Sequence, residues 1–177
     1  MKHTRLFTAG RIAQQVKELA VAIDAAQVDS YVVITVLKGA AIFSSDLVRA
    51  MTTDTELSYI TARSYLEGFT PGDSLSIDAN SELAIGGRDV LIVEDIVDTG
   101  RTLQHIQSIV SSQHAKSVTS VALINKTDRR KTTFEPTHSG FQITDEFIYG
   151  YGLDWDQRFR DLPYIAIANP HDTATRP

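Results

Sequence analysis

Val90-Leu-Ile-Val-Glu94-Asp95-Ile-Val-Asp98-Thr99-Gly100-Arg101-Thr102-Leu103 is an apolar run that passes into paired acids and then into a hydroxyl- and glycine-bearing turn. Val90 to Val93 form the short, β-branched kind of run that is buried in the middle of a parallel sheet, and Glu94 and Asp95 stand where it ends. Packing gives no reason for two adjacent carboxylates at that place. Beyond them, Leu103, Ile106 and Val110 recur at helical spacing, so the turn is the N-terminus of a helix running from Thr102.

Each part of this loop suits a phosphorylated sugar. Unpaired amides and the positive end of a helix dipole favour an anion such as phosphate, and Gly100 allows close backbone approach. Asp98, Thr99 and Thr102 add polar side chains around the same turn. Glu94 and Asp95 would repel phosphate but suit a ribose, whose two hydroxyls can donate to carboxylates, and they can draw in a hydrated divalent cation. One loop can thus grip both ends of a ribose 5-phosphate. In the plainer alternative, Asp98 or Thr99 caps a helix and the acids are a solvated strand end. The run is neither G-x-x-x-x-G-K-[ST] nor G-x-G-x-x-G, so nucleotide hydrolysis and hydride transfer lose support.

The stretch V-L-I-V-E-D-I-V-D-T-G-R-T-L resembles the phosphoribosyl-pyrophosphate-binding motif of type I phosphoribosyltransferases, and its E-D-x-x-D-T-G form is similar to the hypoxanthine-guanine branch. Leu37-Lys38-Gly39, Arg63-Ser64-Tyr65, Lys126 and the tail from Asp145 to Pro163 match that branch in order and spacing. The likeness covers the chain from about Tyr31 to Ile167. It implies an α/β, single-domain type I phosphoribosyltransferase fold over residues 1–177, a mostly parallel central sheet flanked by helices with a small hood and a flexible lid loop.

Composition is compatible with one such domain. A chain of 177 residues can bury roughly two-thirds of its unfolded surface, and 42% apolar with 22% charged residues is ordinary for a soluble globule. A formal net charge of −5 argues against a nucleic-acid-coating surface, so an anionic substrate must be held by local basic groups and amides. Without cysteine there are no disulfides, no thiolate metal site and no cysteine nucleophile. Met1-Lys-His-Thr-Arg-Leu-Phe lacks a signal-peptide core and no apolar run is long enough to span a bilayer, which makes a cytoplasmic location without a membrane partner the expectation.

Along the chain, Ile12, Val16, Leu19 and Ile23 mark a helix, Tyr31 to Leu37 a strand, and Phe43, Leu47 and Met51 a second helix. Leu57 to Tyr65 is β-prone and leads into a loop, Leu66 to Ser74, rich in Gly and Pro; Leu75 and Ile77 suggest a short strand. Gly86-Gly87 turns into the Val90 strand, and Val118 to Ile124 is a buried strand ended by Asn125-Lys126. Phe141 to Ile143, Phe147 to Tyr149 and Tyr164 to Ile167 read as further strands. Alternating strands and helices imply right-handed crossovers and a mostly parallel sheet, with ligands beyond the strand carboxyl ends. Lys38-Gly39, Glu94-Asp95 and Lys126 all fall at such ends.

The resemblance assigns roles to these positions. Glu94, Asp95, Asp98, Thr99, Gly100, Arg101 and Thr102 would bind the ribose phosphate, with no individual role for Arg101. Leu37, Lys38 and Gly39 would bind pyrophosphate, largely through amides and with a cis peptide that does not precede proline, and Arg160 would contact it too. Lys126 would donate to purine O6, favouring 6-oxopurines over adenine. Phe147 would stack on the ring, the Ile148 backbone would pair with its edge, and Asp154, on the purine side, would join Glu94 and Asp95 as a ligand of Mg2+. Trp155 stands where the family often has tyrosine. Ser64 and Tyr65 would open a lid whose Gly68, Pro71 and Gly72 suit a segment that orders over both substrates. The residues alone also allow plainer readings: a strand-to-helix turn at Leu37 to Ala40, a surface lysine, a core phenylalanine, and surface charges at Asp154 and Arg160. The five histidines show no ligand spacing and read as surface residues.

The implied reaction displaces pyrophosphate from C1 of 5-phosphoribosyl 1-pyrophosphate by purine N9, with Asp98 accepting or sharing a proton near N7. The implied partners are these small molecules and a second copy or three further copies of the chain, as homodimer or homotetramer. A xanthine-preferring transferase is the nearest rival. A ligand-sensing regulator on the same fold would want a DNA-binding segment or a basic face, and a noncatalytic structural partner would bind no nucleotide.

Overall fold

The computed structural model describes residues 4–63, 76–79 and 83–168. In chain order these form β1 (Thr4–Phe7), α1 (Ala9–Asp24), β2 (Ser30–Leu37), α2 (Ala41–Ala50), β3 (Asp54–Arg63), β4 (Ser76–Ala79), β5 (Asp89–Val97), α3 (Arg101–Ser112), β6 (Ser117–Lys126), β7 (His138–Ile143), β8 (Ile148–Tyr149) and β9 (Ile165–Ile167). Ser64 and Tyr65, and with them the expected lid, lie outside the described residues.

The main sheet has the order β4-β3-β2-β5-β6-β7. β3, β2, β5, β6 and β7 are parallel, and β4 joins β3 as an antiparallel edge. Both faces are covered, which is why β2 and β5 read as continuous apolar runs. On one face, Ile12, Val16, Leu19 and Ile23 of α1 and Phe43 and Leu47 of α2 pack on Val33, Leu91, Val93 and Val121. On the other, Leu103, Ile106 and Val110 of α3 pack on Val32, Ile34 and Ile92.

The central strand is longer than its apolar stretch. β5 continues through Glu94 and Asp95 to Val97, because β6 pairs with it as far as Val97↔Asn125. On the other side its pairing with β2 stops at Thr35↔Val93. β2 and β5 therefore part company just before the two acids. This is also where the strand order reverses direction, the place at which open α/β sheets hold ligands. Asn125 and Lys126 likewise are the last residues of β6 rather than its terminators. Met51 caps α2 in extended conformation instead of continuing it.

A second, antiparallel sheet, β1-β9-β8, is the hood. Its β1 was not anticipated: Thr4 pairs with Ile167, and Ile148 pairs with Ile167 from the other side. Tyr149, Phe159 and Ala166 form its core, with Trp155, Leu162 and Tyr164 packed around them. His105 and His114 are exposed, but His138 on β7 is half-buried and burial lowers its imidazole pKa. Among the described residues no helix is long and apolar enough to cross a membrane.

Candidate active site at the sheet switch point

Three segments far apart in sequence interlock where β2 and β5 diverge. A Cβ built on Gly39 would overlap the Asp95 carboxylate, and one built on Gly152 would overlap the Gly39 carbonyl oxygen. Asp95, Gly39 and Gly152 are thus stacked at a spacing that only glycine permits, and Gly152, at φ +98°, needs glycine for its conformation as well. The peptide between Leu37 and Lys38 is cis, and the Lys38 side chain is exposed. The Gly152 turn is fastened from two sides. Arg160 Nη1 donates to the Gly152 carbonyl at 2.7 Å, and the Tyr151 hydroxyl donates to Asp46 Oδ2 of α2 at 2.6 Å. Burial, and then that bond to Asp46, push the Tyr151 pKa far up.

Glu94 and Asp95 are 7% and 9% exposed. Burial raises both carboxyl pKa values. The Asp95 charge raises Glu94 further, whereas Asp95 is partly relieved by bonds from the Glu94 side chain and the Ile96 amide and by the Arg160 charge. The Ile96 amide donates to Asp95 Oδ1 at 2.9 Å. Three buried carboxylate oxygens have no hydrogen-bond partner among the described residues: Glu94 Oε2 and Asp98 Oδ1 on this strand and turn, and Glu146 Oε2 before β8. Unmet acceptor capacity in a dry place is costly. Ribose hydroxyls or a hydrated cation are the groups that would satisfy it.

The expected metal set is not assembled as such. Among the described residues no three carboxylates or histidines stand together as a cation cage. Asp154 Oδ1 pairs with Arg160 Nη2 at 2.7 Å and its Oδ2 accepts from the Gln157 amide at 2.9 Å. Arg160 thus holds Asp154 while its charge also reaches Asp95.

The turn from Asp98 to Thr102, the expected phosphate loop, is not a side-chain-capped helix start. α3 begins at Arg101, one residue before the expected Thr102, and its N-cap is Gly100 at φ +82°, with no side-chain cap bond. Asp98 and Thr99 therefore do not cap it; Thr99 Oγ1 accepts only a long 3.4 Å contact from the Arg101 amide. The Arg101 side chain points to solvent and Thr102 is half-buried. Behind the loop lies the segment that follows β6. The Lys131 amide donates to the Thr99 carbonyl at 3.0 Å, and the side chains of Arg130 and Thr132 press on Gly100. Arg130 is itself held by Asn125 and Glu135.

Lys126 is buried at the end of β6, and its Nζ donates to the Glu146 carbonyl at 2.6 Å. Phe147 is 54% exposed, its ring edge-on to Trp155 at 6.0 Å. It is therefore not a core phenylalanine. Ile148 is buried in β8, the edge strand of the hood, which leaves one side of its backbone turned away from β9. Sequence reading missed Arg129, Arg130 and Asp145, all within or next to this wall. The signal available was the Arg129-Arg130 pair following a strand-end lysine.

Residues 3–156 match the family model of the phosphoribosyl transferase domain. The chain is 34% identical over 166 residues to a hypoxanthine-guanine phosphoribosyltransferase of Bacillus subtilis (strain 168), a match covering 93% of this chain and 92% of the relative. It is 40% identical over 138 residues to the bifunctional protein TilS/HprT of Listeria innocua, and there it covers 78% of this chain but 21% of the relative's length. A crystal structure of a hypoxanthine-guanine phosphoribosyltransferase from Bacillus anthracis, with a HEPES molecule in its active site, superposes with a TM-score of 0.84 at 36% identity, covering 93% of this chain and 98% of that one. By the extent of the family match and by the Bacillus subtilis relative matched over nearly its whole length, the chain belongs to the type I phosphoribosyltransferase family.

Proposed function

We propose that this chain is a purine salvage enzyme that transfers the 5-phosphoribosyl group from 5-phosphoribosyl 1-pyrophosphate to hypoxanthine or guanine, giving IMP or GMP and pyrophosphate. The observation that carries the reading is the pair of buried, unpartnered carboxylate oxygens of Glu94 and Asp98 at the sheet switch point, between an open helix start and a lysine-aromatic wall. The names of the relatives support the choice of a 6-oxopurine.

Glu94 and Asp95 accept from the ribose hydroxyls, and the amides and hydroxyls from Asp98 to Thr102 take the 5-phosphate. The Leu37-Lys38-Gly39 loop and Arg160 receive the pyrophosphate, so its growing negative charge meets a fixed positive environment as the C1–O bond breaks. The electron pair of that bond leaves with pyrophosphate and purine N9 forms the new bond to C1. The proton on N7 passes to Asp98. Phe147 offers a face for the ring, Ile148 an edge backbone, and Lys126 exchanges its bond to the Glu146 carbonyl for purine O6. The unpartnered Glu94 oxygen fits a hydrated Mg2+, which Asp95 and, on the purine side, Asp154 would help to hold; bound with pyrophosphate, the ion supplies charge neutralisation. The enzyme works in the cytoplasm as a homodimer or homotetramer.

Turnover with Mg2+, 5-phosphoribosyl 1-pyrophosphate and each of hypoxanthine, guanine, xanthine and adenine tests the reading. Conversion of hypoxanthine or guanine is expected; no turnover with any base would refute it. Asp98→Asn should lower kcat by about 10²-fold or more while 5-phosphoribosyl 1-pyrophosphate still binds.

A further inference from the structure

The wall behind the phosphate loop carries a charge arrangement that none of these roles uses. Arg129 Nη1 stands 3.4 Å from Asp98 Oδ2 and 3.4 Å from Asp145 Oδ1, and Asp145 Oδ1 is 4.0 Å from Lys126 Nζ. Charges of alternating sign therefore run from Asp98 through Arg129 and Asp145 to Lys126. The two oxygens of Asp98 are not equivalent. Oδ2 faces Arg129, whereas Oδ1 is buried and has no hydrogen-bond partner among the described residues. The terminal torsion of an aspartate is broad and soft, so a charge that fixes one oxygen also sets the direction of the other.

We infer that Arg129 is a positioning residue for the proposed reaction: by holding Asp98 through Oδ2 it presents Oδ1 to the purine nitrogen whose proton Asp98 takes. The inference rests on the proposed reading of Asp98. Arg129 and Arg130 divide the wall between them. Arg130 is 10% exposed and locked against Asn125 and Glu135, where it supports Gly100 from behind. Arg129 is 51% exposed and turns toward the two acids that border the purine side. An exposed ion pair of this kind adds little to folding, so the bland role, a surface salt bridge, predicts that its removal changes nothing measurable in turnover.

Steady-state kinetics with hypoxanthine on the wild type, Arg129→Ala, Arg129→Lys, Asp98→Asn and the Asp98→Asn/Arg129→Ala double variant separate these roles, with calorimetric titration of 5-phosphoribosyl 1-pyrophosphate alongside. A misplacement of about 1 Å can cost about 10²-fold, and a carboxylate freed only to rotate should cost less, so Arg129→Ala is expected to lower kcat about 10-fold with substrate Kd changed by no more than about twofold. Arg129→Lys should recover most of that loss. In the Asp98→Asn background, Arg129→Ala should cost nothing further, because its effect passes through Asp98. An unchanged kcat in Arg129→Ala, a loss of equal size in the Asp98→Asn background, or a large rise in Kd overturns the inference and leaves the proposed function standing. A wild-type chain that turns over no purine base overturns the function, and the inference with it.

Discussion

Replacing Glu94 by glutamine should make the free protein more stable and a poorer enzyme. Glu94 lies inside β5, 7% exposed, with Oε2 lacking a hydrogen-bond partner. Burial, then the charge and side chain of Asp95, hold its carboxyl pKa well above the ordinary 4.5. The folded protein thus binds this proton more tightly than the unfolded chain does. The stability so contributed is complete below pH 4.5 and is lost as pH rises through the higher folded value. Glutamine is neutral throughout, has nearly the same size, and its amide N–H can donate to Asp95 as the proton does. As pH rises through the folded value the wild type comes to carry an ionised, unpartnered acceptor in a dry site, a cost of about 1–3 kcal/mol. Above that value Glu94→Gln should therefore gain about 2 kcal/mol, or about 4–8 °C in Tm for a chain of this size. At pH 4 the gain should nearly vanish. Thermal or urea unfolding of both proteins from pH 4 to 8, without ligand, measures it, and kcat/KM should fall because a ribose acceptor is lost. Saturating magnesium and 5-phosphoribosyl 1-pyrophosphate should narrow the stability gap, since the substrate satisfies the wild-type oxygen. A gain that does not grow as pH rises, or none at the alkaline end of the range, would refute the reasoning.

Phe147→Ala removes a ring that is 54% exposed, so Tm should hardly move; loss of about 1 kcal/mol of stacking should raise KM for hypoxanthine about fivefold, and an unchanged KM would take Phe147 out of the pocket. Lys126→Met deletes the Nζ donor, and competition kinetics should show the preference for hypoxanthine over adenine narrowing about 10-fold, as expected for one charge-assisted hydrogen bond. Gly39→Ala drives a methyl into the Asp95 carboxylate and should cost about 1–3 kcal/mol in urea unfolding. Adding Asp95→Ala to it should restore the stability without restoring turnover; failure of that rescue would mean the clash lies elsewhere.

What the sequence made legible was what is local or periodic. The faces of α1 and α3, the apolar strands β2, β5 and β6, and the polar residues where those runs end all follow from spacing, and Asp95 does meet Gly39 in the loop after β2. What stayed hidden depends on partners distant in the chain. Thr4-Arg-Leu-Phe7 is too short and too polar to announce a strand; it becomes β1 because β9 is there to pair with it. β5 outruns its apolar residues because β6 keeps bonding to it after β2 has turned away. Asp154 is legible as a carboxylate, but that Arg160 claims it depends on the fold of the 150–160 turn. Arg129 and Asp145 look like any solvated charges until β6 and the turn before β8 set Arg129 between Asp98 and Asp145.

The hood ties the first described strand to the last described one: Thr4 and Ile148 acquire their shared neighbour only through Ile167. That pairing closes nearly all of the described chain into one loop, so its closure entropy must be met before the contact gives anything back, and contacts nearer in sequence form first. A chain cut short before Ile165 should keep the pairings of the main sheet and lose the strand that holds Thr4 and Ile148 together.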